Sequence, residues 1–160
     1  STILQKEFSS LNRQPIRAIS ALSWIWGELY LQGKVVPRDA QKAVAYIELA
    51  AEMGDASAQS KLGYLLLKGD IRVPTDPKRA FHFLHLAAEQ GFGPARLNLG
   101  VAFYRGIGVE RDLRKAAEFL HIAALQNEDR AKVTMKVMYS HGQGVAEDLA
   151  KAATFSTRKS

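Results

Sequence analysis

Residues 95–124 read Ala95-Arg-Leu-Asn-Leu-Gly-Val-Ala-Phe-Tyr-Arg-Gly-Ile-Gly-Val-Glu-Arg-Asp-Leu-Arg-Lys-Ala-Ala-Glu-Phe-Leu-His-Ile-Ala-Ala124, and this stretch decides the fold. Moved by one period in either direction, it lands on a relative of itself. A loop glycine recurs as Gly33, Gly69, Gly106 and Gly142, in steps of 36, 37 and 36. An aspartate follows as Asp39, Asp76, Asp112 and Asp148. Four residues later stands Ala43, Ala80, Ala116 or Ala152, each preceded by Lys or Arg, and three beyond that an aromatic: Tyr46, Phe83, Phe119, Phe155. Columns that keep a common period of this length mean stacked supersecondary units.

Within a unit the local logic is a pair of helices. In unit two, Ala58, Leu62, Leu65 and Leu66 mark helix A by their three- and four-residue spacing. Gly69 falls where a left-handed C-cap is needed. Asp76-Pro77 reads as an N-cap followed by proline in the first turn. Helix B then carries Ala80, Phe83, Leu84, Ala87 and Ala88 inward. Gly63 and Gly100, inside the A helices, read as points of close helix approach, since glycine there otherwise costs about 1 kcal/mol. The valines Val36, Val73, Val109 and Val145 plug each loop into the core.

These columns resemble the Sel-one-like repeats, relatives of the tetratricopeptide repeats. Unit three carries the pattern as Ala95, Leu99-Gly100, Phe103, Gly106-Ile-Gly108-Val109, Asp112, Lys115-Ala116, Phe119 and Ala123-Ala124. Three positions depart from it: Lys136 replaces a helix-A glycine, where a long charged side chain is expected to hold the helices of unit four further apart, Asn127 a turn glycine, and Leu66 an aromatic. The resemblance implies an all-α, right-handed solenoid of about four helix-turn-helix repeats. The expected division is a capping helix region over 1–21, repeats over 22–57, 58–94 and 95–130, and a shortened repeat over 131–160. Leu4, Phe8 and Leu11 give the cap its amphipathic spacing, and Pro15 is expected to separate it from the first repeat helix.

Composition narrows the chemistry. With no cysteine, neither a disulfide framework nor a thiol nucleophile exists. No stretch approaches the roughly 18 consecutive apolar residues of a membrane span, and the first twenty residues lack a signal-peptide core. The compartment stays open; the resemblance suggests a soluble protein of the bacterial cytoplasm or periplasm. Net charge is +6, with a pI near 9.7. The basic residues are scattered, without the aromatic-interleaved run of a nucleic-acid binder.

Three candidate sites have bland explanations. The Gly-x-Gly-Val loops follow a helix and recur with the repeat, unlike a dinucleotide fingerprint. His82 and His85 are three apart with Glu89 beyond, but His121 repeats the His85 column and points to packing. Glu110 with Asp112, and Glu147 with Asp148, sit at helix starts, where a carboxylate caps. No unique nucleophile and base pair up, so the reading is non-catalytic and no cofactor is expected.

The outer face of the A helices is the informative one. Counting from Leu22, Ala58, Ala95 and Ala131, the second, sixth and ninth residues onward point away from the core at 100° per residue. Nine of those twelve positions are apolar or aromatic: Trp24, Leu31, Tyr64, Leu67, Leu97, Val101, Tyr104, Val133 and Val137. Lys61, Lys68, Arg96 and Arg105 flank them as a basic rim. The expected function is a scaffold or adaptor that binds a partner protein, as an acidic peptide or helix, on this face. The alternatives in other classes are nucleic-acid binding and hydrolysis.

Overall fold

The computed structural model describes the backbone of residues 2–69 and 73–157, with side chains from residue 15 onward. The side chains of Leu4, Phe8 and Leu11, the loop residues 70–72 and the tail 158–160 lie outside the described residues. Among those described there are eight helices and no strand: α1 Thr2–Gln32, α2 Ala40–Glu52, α3 Ala56–Lys68, α4 Pro77–Glu89, α5 Gly93–Arg105, α6 Leu113–Leu125, α7 Asp129–His141 and α8 Leu149–Thr154. They pack as hairpins, α1 on α2, α3 on α4, α5 on α6 and α7 on α8, and each hairpin packs on the next. The chain is an all-α solenoid.

The repeated residues explain why. Asp39, Asp55, Asp76, Asp112 and Asp148 each accept a backbone N–H in the first turn of the following helix. This satisfies a donor that the helix leaves without a partner. Gly106 and Gly142 close α5 and α7 in the left-handed conformation. Asn127 stands in for a turn glycine at φ 64°, and Asn is among the few side chains that tolerate this region. Between hairpin helices the glycine column permits contact. A β-carbon on Gly63 would lie 2.5 Å from Leu84 Cγ, and one on Gly100 2.5 Å from Leu120 Cγ.

The aromatic column pairs A with B inside a unit. Tyr30 stacks on Tyr46, Phe103 on Phe119 and Tyr139 on Phe155, with centroids 5.7–5.9 Å apart. The lysine ahead of each column alanine covers the A-helix ring: Lys42 over Tyr30, Lys115 over Phe103, Lys151 over Tyr139. Unit two, with Leu66 in place of the ring, spends its cation differently. Arg79 there pairs with Glu48 of unit one.

Three expectations are corrected. Pro15 does not break the first helix; α1 runs through it as a single 31-residue helix. Proline already holds a helical φ, so it removes one hydrogen bond without ending the run. Leu22 is not core. It is 57% exposed although Ala58, Ala95 and Ala131 in its column are fully buried. Those alanines are covered by the preceding unit, and no described helix stands before α1. Lys136 does not pry its unit apart either. Its column partner would be residue 156, two residues beyond the end of α8 at Thr154, and Lys136 is exposed.

Candidate functional site

The A helices present two adjoining cavities on the face away from their B partners. The first, about 310 Å³, is lined by Val101, Tyr104, Arg105, Asp129, Arg130, Val133 and Thr134. The second, about 270 Å³, takes in Tyr64, Leu67, Lys68, Asn98, Ile107 and, again, Val101, Arg105 and Arg130. Together they form a groove across α3, α5 and α7 with Val101 on its floor.

The nine apolar candidates divide. Tyr64, Val133 and Val137 are exposed; Trp24, Leu31, Leu67, Val101 and Tyr104 are half-buried. Leu97 is 6% exposed and belongs to the core of units three and four. It is removed from the candidate surface, because the neighbouring unit closes over it. Trp24 and Leu31 pack against the first core cluster and lie outside the groove, as does Val137. The groove therefore draws on Tyr64, Leu67, Val101, Tyr104 and Val133.

The basic rim divides as well. Lys61 is committed to an ion pair with Glu28 at 3.3 Å. Arg96 donates to Gln126 Oε1 at 2.7 Å. Lys68 sits above the Tyr64 ring, 5.9 Å from its centroid. Arg105 is exposed and lines both cavities. Tyr104 is anchored: its hydroxyl donates to Gln143 Oε1 at 2.8 Å, and the Arg111 guanidinium lies over its ring.

Six groove residues escaped the sequence reading: Asn98, Ala102, Ile107, Asp129, Arg130 and Thr134. Arg130 lies one residue before the column alanine, one helical turn ahead of the positions counted, so extending the face by a turn finds it. Asn98 and Thr134 follow a counted position by one residue and flank it. Ile107 comes from a loop, where helical periodicity has no reach.

The other candidates resolve into architecture. His85 meets the Phe119 ring edge-on at 5.8 Å, and His121 meets Phe155 likewise, so this column fastens each unit to the next. Asp112 and Asp148 are spent on capping. Among the described residues no three His, Cys, Asp or Glu side chains gather as metal ligands. Nor is any described helix long and apolar enough to cross a membrane.

A family model for the Sel1 repeat matches residues 18–55, 56–92, 93–128 and 137–155. The chain belongs to the Sel1 repeat family. It is similar to a protective antigen of uropathogenic Escherichia coli with an SLR fold, at 32% identity and a TM-score of 0.80. The match covers 85% of this chain and 29% of that one. A Sel1 repeat protein from Oxalobacter formigenes is also 32% identical, with a TM-score of 0.75, over 85% of this chain and 39% of that one. Helicobacter pylori cysteine rich protein B is 25% identical, with a TM-score of 0.56, over 77% of this chain and 87% of that one. The chain thus spans well under half the length of the first two, and all three come from bacteria. No curated protein shows significant sequence similarity to it. Sel1 repeat proteins in general mediate protein–protein interaction on a non-catalytic scaffold.

Proposed function

We propose that this Sel1 repeat chain is a non-catalytic adaptor that binds a peptide or helix of a partner protein in the groove over Val101. The observation that carries the reading is the pair of cavities meeting at Val101, Arg105 and Arg130. An apolar floor between two guanidinium groups, with the Asp129 carboxylate beside it paired to Lys132, suits a ligand with an apolar anchor and flanking carboxylates. The arginines supply steering and bidentate hydrogen bonds, and the apolar anchor supplies most of the affinity. Tyr64, 42% exposed, and Val133, 53% exposed, flank the floor.

The test is selection of peptides from a displayed random library against the whole chain, with affinities measured by calorimetry. Acidic peptides with an apolar anchor should emerge. The pair Tyr64→Ala with Arg105→Glu should weaken them at least about tenfold, a loss of about 1.4 kcal/mol. Selected peptides that bind this variant unchanged place the site elsewhere. Tyr104 is left intact because its hydrogen bond to Gln143 makes it part of the scaffold.

A further inference from the structure

We propose, resting on the adaptor reading, that the groove takes an extended acidic segment whose two apolar anchors stand three residues apart in a polyproline-II conformation. The two cavities are separate seats. One lies on the α3–α5 side, lined by Tyr64, Leu67 and Ile107, and the other on the α5–α7 side, lined by Tyr104, Val133 and Thr134. Val101 stands between them and lines both. At about 310 and 270 Å³, each has room for one large apolar side chain. A single anchor would fill one seat and leave the other wet.

The spacing of the seats restricts the ligand's backbone. Successive A helices stand at the separation of packed helices, so the seats lie on the order of 10 Å apart. A β-strand returns a side chain to the same face every second residue, at about 6.6 or 13 Å, and misses in both directions. A polyproline-II chain has three residues per turn and rises about 3.1 Å per residue, which sets residues i and i+3 on one side about 9 Å apart. An α-helix spans the same distance over about seven residues.

Asn98 decides between these two. Its side chain is half-buried on the wall of the second cavity and has no hydrogen-bond partner among the described residues. A carboxamide offers both donor and acceptor, the complement of one peptide group. Polyproline II makes no internal hydrogen bonds and leaves its peptide groups open to such a partner, whereas a helix consumes its own. Charge then sets the residues between the anchors. Arg105 and Arg130 line both cavities, and neither guanidinium has a partner among the described residues. Arg96 and Lys61, by contrast, are engaged with Gln126 and Glu28. Asp129, the acid among the described lining residues, is paired with Lys132. An Asp or Glu between the anchors therefore meets two uncommitted guanidinium groups, each able to bind it in bidentate fashion.

Fluorescence anisotropy on the full chain tests this with a labelled, end-blocked peptide, Gly-Ser-Leu-Pro-Asp-Leu-Ser-Gly. Its proline bars a helix and biases the preceding leucine toward polyproline II. This probe should bind about tenfold more tightly than versions with one residue added or removed between the leucines, or with either leucine replaced by alanine. Asn98→Ala should weaken it about tenfold, with helical circular dichroism unchanged. A second probe, an alanine-rich helix with leucines seven residues apart and glutamate between them, should bind more weakly and ignore Asn98→Ala. A helical probe that binds more tightly, and is still weakened by Arg105→Glu, overturns the extended ligand and leaves the adaptor reading standing. Affinity for the proline probe that is indifferent to leucine spacing overturns it too, and the spacing series needs only the wild-type chain. If neither probe binds, or Arg105→Glu changes neither affinity, the groove is not the site and both readings fall.

Discussion

Units three and four were cut to the same pattern and ended differently. In unit three, α5 and α6 are both 13 residues long, Gly100 admits Leu120, and Phe103 stacks on Phe119. In unit four, α7 is equally long but α8 has six residues, and Lys136 stands in the glycine column. The ring stack of Tyr139 on Phe155 survives because Phe155 is the C-cap residue directly after α8, still held in place by the short helix. The comparison teaches that a repeat column is a contract between two helices. Where the second helix stops, the constraint on the first lapses.

The sharpest way to break this contrast is Leu120→Ala. That side chain is fully buried against the Gly100 notch, so its loss should cost about 3 kcal/mol in urea unfolding. Ser156→Ala, its counterpart in unit four, should change nothing measurable. Next comes Gly100→Leu, expected to cost about 2 kcal/mol through overpacking. Lys136→Leu should stay within about 0.5 kcal/mol, as exposed substitutions do. Equal penalties at 100 and 136 would mean that helix B closes over Lys136 after all.

Capping gives a smaller effect. Asp112→Ala should lower stability by about 1 kcal/mol, seen as a global shift. Asp148→Ala should act mainly on local opening, because a six-residue helix frays without dragging the array with it. Amide exchange in the wild type should already be faster in α7 and α8 than in α5 and α6; equal protection would remove the contrast. Lys115→Ala should cost about 0.5 kcal/mol, for the cation over Phe103. The same change at Arg79 should instead loosen the junction of units one and two, where its partner is Glu48.

Sequence was a good guide wherever one residue type has one physical use at its position. The aspartate caps, the glycine notches and the missing ring at Leu66 were all legible on that ground. It was a poor guide to coverage. Periodicity gives the angle of Leu97 and Leu22 around their helices, but burial depends on the neighbour standing over them, which inverted both readings. Pro15 misled for a related reason: its ring is compatible with a helix and with a break, and only the surrounding chain decides. In the groove, Arg130 was findable by counting one turn further back, whereas Ile107 entered from a loop that no helical count describes.

The continuity of α1 also sets a distance. At about 1.5 Å per residue, the helix projects roughly 27 Å upstream of the point where the other A helices begin. A flexible segment of that many residues would let its far end wander. A helix holds its own N-terminal end at a set reach and a set rotational phase, so that adding or deleting one residue before Ser20 would turn that end by about 100° relative to the groove.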